Sequence, residues 1–106
     1  MMTHHITMMS QVIIINKDKS WRVYILQCSD NSYYTGITTD LQRRLHEHNN
    51  SKKGAKYTRS RRPVELLYSF IVKNRSVASK EEIKIKKMKR QDKINYFNLR
   101  NNKLEK

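Results

Sequence analysis

WRVYILQCSDNSYYTGITTDLQRRLHEHN, residues 21–49, decides the fold. Its first eight residues are dense in β-branched and aromatic side chains, Ser29–Ser32 is a cluster of turn formers, and YYTGIT at 33–38 is β-rich again, which predicts a β-hairpin. Thr39 or Asp40 can cap a helix through a short side-chain oxygen. Leu41 and Leu45 then fall four apart on one face, so the helix is expected over about 40–49. The hairpin sets Tyr24 and Tyr34 on adjoining strands, and the helix sets Arg44 and His48 one turn apart on a shared face. Spacing alone leaves two readings open: buried strand tyrosines beside a surface helix, or a reaction centre.

Downstream, NSKKGAKYTRSRRP (50–63) carries Lys52, Lys53, Lys56, Arg59, Arg61 and Arg62 with almost nothing apolar. Gly54 and Pro63 mark it as a connection with room for one short helical turn. VELLYSFIVK (64–73) is a third strand, apolar on both faces, the pattern expected of a central strand. From Val77 to about Arg90 there is no Gly or Pro, and Ala78, Ile85 and Met88 fall along one side of a predicted amphipathic helix. KINYFNL (93–99) supplies a last short helix. The order is β-β-α-β-α-α, an α/β fold in which helices flank a small three-stranded sheet. Residues 1–19, rich in Met, His and Thr around the knot VIII at 12–15, are expected to be a flexible extension. The domain then runs over 20–99, and 100–106 form a basic tail.

Composition narrows the function. A chain of 106 residues supports one compact core. With 23 Lys and Arg against 9 Asp and Glu, the formal charge of +14 calls for an anionic partner. A nucleic-acid backbone answers it, since each phosphate neutralised by Lys or Arg releases condensed counterion. An anionic membrane surface is the competitor, but no helix opposes a strongly apolar face to a basic one, and no run reaches the roughly 18 apolar residues of a span. The first 20 residues lack a basic stretch ahead of their apolar run and a small-residue cleavage site, so no secretory signal is expected. Cys28 is the one cysteine, which excludes an intrachain disulfide and an all-cysteine metal site and fits a cytoplasmic protein. It reads as a small core residue. The adjacent His4 and His5 lack a third ligand and make a poor metal site.

Four stretches together, VYIL (23–26), YTGITTDLQRRLHEHN (34–49), GAKYTR (54–59) and SKEEIKIKKMKR (79–90), resemble the GIY-YIG nuclease domain, in particular its small, stand-alone bacterial branch. The likeness covers Trp21 to Ile94. The family's two triplets are written Val23-Tyr24-Ile25 and Tyr34-Thr35-Gly36, which keep the two tyrosines and the glycine. The resemblance implies a Mg²⁺-dependent endonuclease, with Mn²⁺ as a substitute ion, that hydrolyses DNA in repair or processing. A non-catalytic nucleic-acid-binding module on the same scaffold is the alternative. The partner is nucleic acid, DNA in particular, with no membrane, and the chain is expected as a monomer or weak dimer.

Phosphodiester hydrolysis needs a base for water, positive charge on the developing phosphorane and a divalent ion held by a carboxylate. By resemblance Tyr24 is the base or water-orienting group; a phenol beside a metal-bound water and cationic groups can have its pKa, ~10 unperturbed, pulled toward working pH. Tyr34 positions phosphate or water. Arg43 and Arg44 point about 100° apart, so at most one faces the hairpin squarely; the family arginine, eight residues after the motif glycine, is Arg44. His48 binds a phosphate oxygen or shuttles a proton, while Arg43 and His46 belong to the solvated face. Glu81 and Glu82 both flank the apolar stripe, and periodicity does not separate them. The resemblance assigns the metal to Glu82, one carboxylate sufficing for an ion that keeps most of its water. Glu82 is otherwise placed for an i,i+4 salt bridge to Lys86, and Glu81 is read as a salt-bridging residue. Gly36 lets backbone or substrate approach closely. Lys52, Lys53, Lys56, Arg59, Arg61 and Arg62 form a phosphate track, with a lesser role for Tyr57. The family's C-terminal asparagine is open between Asn95 and Asn98.

Overall fold

The computed structural model describes residues 19–105, with side chains through residue 100. The 1–19 extension therefore lies, save its last residue, outside the described residues. Strand β1 (Trp21–Gln27) pairs antiparallel with both β2 (Tyr33–Thr38) and β3 (Glu65–Val72), so the sheet order is β2-β1-β3. This corrects the expectation that the third strand is central. Val23 to Leu26 are at most 2% exposed, as a strand covered on both faces must be, whereas β3 leaves Glu65 and Ile71 exposed along one edge of the sheet. A long apolar run imitates a central strand when one of its faces is only partly covered.

The hairpin closes over Cys28–Ser32. Asp30 accepts hydrogen bonds from the Ser32 backbone N–H (3.0 Å) and hydroxyl (2.6 Å), and Asn31 takes the left-handed conformation (φ 68°) that asparagine tolerates. Pairing then places Tyr24 opposite Gly36.

Helix α1 (Leu41–Asn50) starts at Asp40, whose side chain accepts from the Arg43 N–H at 3.1 Å. It is followed by the single turn α2 (Lys56–Arg59), then by α3 (Arg75–Lys86), capped by Asn74, and by α4 (Arg90–Glu105). Helix α4 is longer than the short helix expected and takes in residues 100–105 of the expected tail.

Because side chains alternate along a strand, the sheet feeds two cores. Val23, Ile25, Phe70 and Val72 meet Ala78 and Ile85 of α3 and Phe97 of α4 on one face. Tyr24, Leu26 and Cys28 meet Leu41 of α1 and Val64 on the other. Asn49, at the end of α1, accepts from the Val64 N–H at 2.7 Å and donates to the Val64 carbonyl at 3.0 Å. That two-bond clamp fixes α1 against the start of β3, and with it the distance from helix to hairpin.

Candidate active site

Tyr24 projects from the middle of β1 toward α1. Its phenol lies over Gly36, where any Cβ would collide with the phenol oxygen and ring. Gly36 is buried, so its expected part as a nucleic-acid contact is corrected: the group that needs the missing side chain is Tyr24 itself.

From the other side His48 arrives on the last turn of α1, fully buried. Its Nε2 is 2.8 Å from the Tyr24 hydroxyl, and its Nδ1 is 2.9 Å from the hydroxyl of Thr58, also fully buried. Thr58 in turn donates to the Ala55 carbonyl at 2.9 Å. A hydroxyl has one proton to give, so with that proton on Ala55 the Thr58 oxygen accepts from His48. The Ala55 N–H also points at the same ring nitrogen, but at 3.4 Å it is the longer and weaker of the two contacts there. We therefore assign the proton of His48 to Nδ1, which leaves Nε2 as an acceptor for the Tyr24 O–H. The resulting chain runs Tyr24 to His48 to Thr58 to the backbone, every proton directed the same way.

Burial and charge set the resting protonation. Burial, and next the charge of Arg44, lower His48 from 6.5 to about 4, so the ring is neutral. Burial is also the main cause that raises the Tyr24 phenol above its ordinary value, joined by Tyr34 and opposed by Arg44. Within the protein itself desolvation outweighs the pull of Arg44, so neighbouring cations alone do not draw this phenol down toward working pH; the metal-bound water also expected beside it is no part of that balance. Tyr24 thus rests as a neutral donor to a neutral imidazole.

Arg44 is held from two sides. Its Nη1 donates to Glu47 Oε1 at 2.9 Å and to the Lys53 carbonyl at 2.8 Å. Glu47, buried, also receives Arg43 at 2.9 Å, and the hydrogen bond from Arg44 is the first cause holding its carboxyl below the usual range. Arg43 remains exposed, as does His46. Tyr34 sets its ring edge-on to His48, 5.2 Å between centroids, and stacks against Tyr57 at 6.0 Å.

The two glutamates separate. Glu81 accepts from the Tyr96 hydroxyl at 2.5 Å and lies 3.6 Å from Arg100, both on α4, which ties one helix to the next. Glu82 pairs with Lys86 at 3.3 Å, and its charge is the smallest of the causes that act on the Tyr24 phenol.

Of the basic segment, Lys52, Lys53, Lys56 and Arg59 are exposed. Arg62 is turned inward: Nε donates to the His48 carbonyl (2.6 Å) and Nη2 to the carbonyls of Ser51 (2.6 Å) and Glu47 (3.3 Å), closing the end of α1. Arg61 pairs with Asp30 at 3.0 Å and lies over the Tyr57 ring at 3.8 Å. Both therefore brace the fold as well as adding charge. Asn95 and Asn98 are exposed on α4, Asn95 accepting from Gln91.

Sequence reasoning missed Thr58, Glu47 and Asn49. The signals were present, Glu47 as an i+3 and i+4 partner of two arginines and Thr58 inside GAKYTR. Nothing in a linear pattern says that Thr58 meets a histidine ten residues earlier.

Among the described residues no helix is long and apolar enough to cross a membrane, and no three His, Cys, Asp or Glu side chains cluster as a metal site. A family model, the GIY-YIG catalytic domain, matches residues 20–95. A UPF0213 protein of Desulfotalea psychrophila is 58% identical over 69 residues, 65% of this chain and 63% of that protein, so the match spans somewhat under two thirds of that relative's length. One from Halobacterium salinarum is 49% identical over 75 residues, 71% of this chain and 96% of its own. The solution NMR structure of a protein from E. faecalis superposes with a TM-score of 0.56 at 42% identity, covering 80% of this chain and 93% of that one. The matched stretch takes in the hairpin that carries Tyr24 and Tyr34 and the helix that carries Arg44 and His48, and the chain belongs to the GIY-YIG family, among its UPF0213 relatives.

Proposed function

We propose that the chain is an endonuclease that hydrolyses phosphodiester bonds in DNA with the aid of a divalent cation, in DNA repair or processing. The observation that carries this reading is the 2.8 Å contact between two buried groups, Tyr24 and His48. A relay explains why both sit uncharged. As water attacks phosphorus, its proton passes to the Tyr24 oxygen while the Tyr24 proton passes to His48 Nε2. No free phenolate forms, so the raised phenol pKa is no obstacle. The phosphoryl charge that builds up opposes the effect of Arg44 and makes His48 a better base when it must accept. The water oxygen bonds to phosphorus, the bond to the leaving oxygen breaks, and that oxygen takes a proton from solvent.

Arg44, already oriented by Glu47 and the Lys53 carbonyl, is the cation for the developing charge. Glu82 is the metal ligand. A lone carboxylate, half-buried and shared with Lys86, fits an ion that keeps most of its hydration shell, as Mg²⁺ does with Mn²⁺ as a substitute, and fits no ion that demands a full set of protein ligands. Such an ion would supply charge neutralisation at the phosphate. Tyr34 flanks His48 and limits where the phosphate sits. Exposed Lys52, Lys53, Lys56 and Arg59 track the backbone.

The test is single-turnover cleavage across single-stranded, duplex, nicked, flapped and branched DNA, with RNA counterparts, in Mg²⁺, Mn²⁺ and EDTA. Metal-dependent scission of at least one DNA is expected. Binding without scission of any of them would transfer the reading to a binding module.

A further inference from the structure

Beside the Tyr24–His48 pair, at the open edge of β2, a cleft of about 400 Å³ is lined by Tyr33, Tyr34, Thr35, Tyr57, Lys86 and Lys93. Three phenol rings meet here: Tyr33 and Tyr34 each rest partly against the core of one sheet face, and Tyr57 stands outside both cores. Tyr34 and Tyr57 lie nearly parallel, 25° between planes, and Tyr57 is 37% exposed. Each ring has a cation against it: Arg61 is 3.8 Å from the Tyr57 centroid, Lys86 5.5 Å from that of Tyr34, and the Arg90 guanidinium 3.8 Å from that of Tyr33. The Thr35 hydroxyl, buried in the wall of the cleft, has no hydrogen-bond partner among the described residues. Lys93 is held below its ordinary pKa by burial and then by Lys86; Lys86 has Glu82 at 3.3 Å, so Lys93 is the ammonium here that a further anion would relieve.

We infer that this cleft is a base-stacking subsite that takes unpaired nucleotides next to the scissile phosphate. Aromatic faces with cations beside them are how proteins hold a single strand, the rings taking bases and the cations taking phosphates. A continuous duplex has its base faces covered by its own stacking and could offer such a cleft only phosphates. The cleft therefore selects DNA that is single-stranded or frayed at the cleavage point. The inference rests on the nuclease reading for the scissile phosphate alone; the stacking is independent of turnover.

The experiment is binding by fluorescence anisotropy in EDTA, where no cleavage occurs. The probes are a short oligothymidine, the same backbone carrying abasic spacers, and a duplex of equal length. Wild type is expected to prefer the base-bearing strand to both others. Tyr57→Ala and, separately, Tyr33→Ala should weaken oligothymidine by about 5- to 150-fold, the range for loss of one stacked base. Both should leave the abasic strand unchanged, and Tyr57→Phe should bind as wild type does. Thermal unfolding checks that each variant is folded, and the unchanged abasic affinity is an internal control for the fold. Equal affinity of wild type for base-bearing and abasic strands, equal affinity for duplex, or parallel loss on both strands in the two alanine variants would overturn the inference. Base-dependent binding without cleavage would uphold the cleft and sink only the nuclease reading.

Discussion

Tyr24→Phe separates packing from chemistry at the point where the two readings are closest. The ring remains over Gly36, so its apolar burial against Leu26 and Val64 is kept. What is lost is one oxygen and the 2.8 Å hydrogen bond to His48, whose Nε2 is left buried without a partner. An unsatisfied buried acceptor costs about 1–3 kcal/mol, and that cost is offset in part because Tyr24 no longer has a hydroxyl to desolvate. A shift of a few degrees in Tm is expected, and the chain should remain folded. The effect on the relay is of another order. With no oxygen to take the proton of water and none to pass on, cleavage should fall by about 10²–10⁴-fold, the range for loss of a positioned proton-transfer group. The assay is single-turnover cleavage with enzyme in excess over the best DNA of the panel, beside thermal unfolding of both proteins. Binding in EDTA shows that affinity survives. Cleavage within a few-fold of wild type would refute the relay and leave Tyr24 as a core residue.

Glu82→Gln should abolish most Mg²⁺-dependent cleavage while DNA binding persists or tightens. Glu81→Gln should leave cleavage near wild type and lower Tm slightly through its contacts to Tyr96 and Arg100; the opposite pattern would overturn the assignment of the two carboxylates. Arg44→Lys replaces a planar fork by a point charge and should cost about 10²–10³-fold in single-turnover rate, with Tm little changed. His48 gives a pH signature: its folded value of about 4 lies below the ordinary 6.5, so the unfolded chain takes up the proton first and stability falls as pH drops from 6.5 toward 4. Between pH 7 and pH 5 the loss should be about 2 kcal/mol in urea melts, and His48→Gln should flatten it; an unchanged slope would show that His48 is solvated. Replacing Lys56 and Arg59 together by Ala should reduce the slope of log K against log salt by roughly one to two, about equally for all sequences.

The sequence carried the hairpin, the motif helix and the pairing of Arg44 with His48 on one face, because each follows from local period and turn chemistry. It misjudged the centre of the sheet. Both faces of β3 read as apolar, and only tertiary pairing shows that β1 has neighbours on both sides. It also treated residues beyond 99 as a tail, since the weakly patterned polar end of α4 lacks a stop signal as well as an apolar stripe. At the site, the family resemblance pointed to Tyr24 and Arg44, which spacing alone left open, and helix spacing put His48 on the face of Arg44. Residue types and spacing left Glu81 and Glu82 unresolved, because both flank the same stripe and the distinction lies in which neighbour each meets, Tyr96 and Arg100 of α4 for Glu81 and Lys86 of the same helix for Glu82. The direction of the Tyr24 pKa was beyond a linear reading altogether. A nearby arginine can be guessed from the chain, but whether desolvation exceeds its pull depends on how tightly α1 closes over the ring, and the Asn49 clamp and the inward Arg62 set that closure.

The account rests on Tyr24 passing on a proton of water, and not attacking phosphorus itself. Single-turnover cleavage of the preferred DNA in ¹⁸O-enriched water, with mass spectrometry of both the DNA ends and the protein, reads this directly. The relay predicts one solvent oxygen in each newly formed terminal phosphate and intact, unmodified Tyr24 at every time point. A covalent adduct between DNA and Tyr24, or product phosphate without the label, would contradict it.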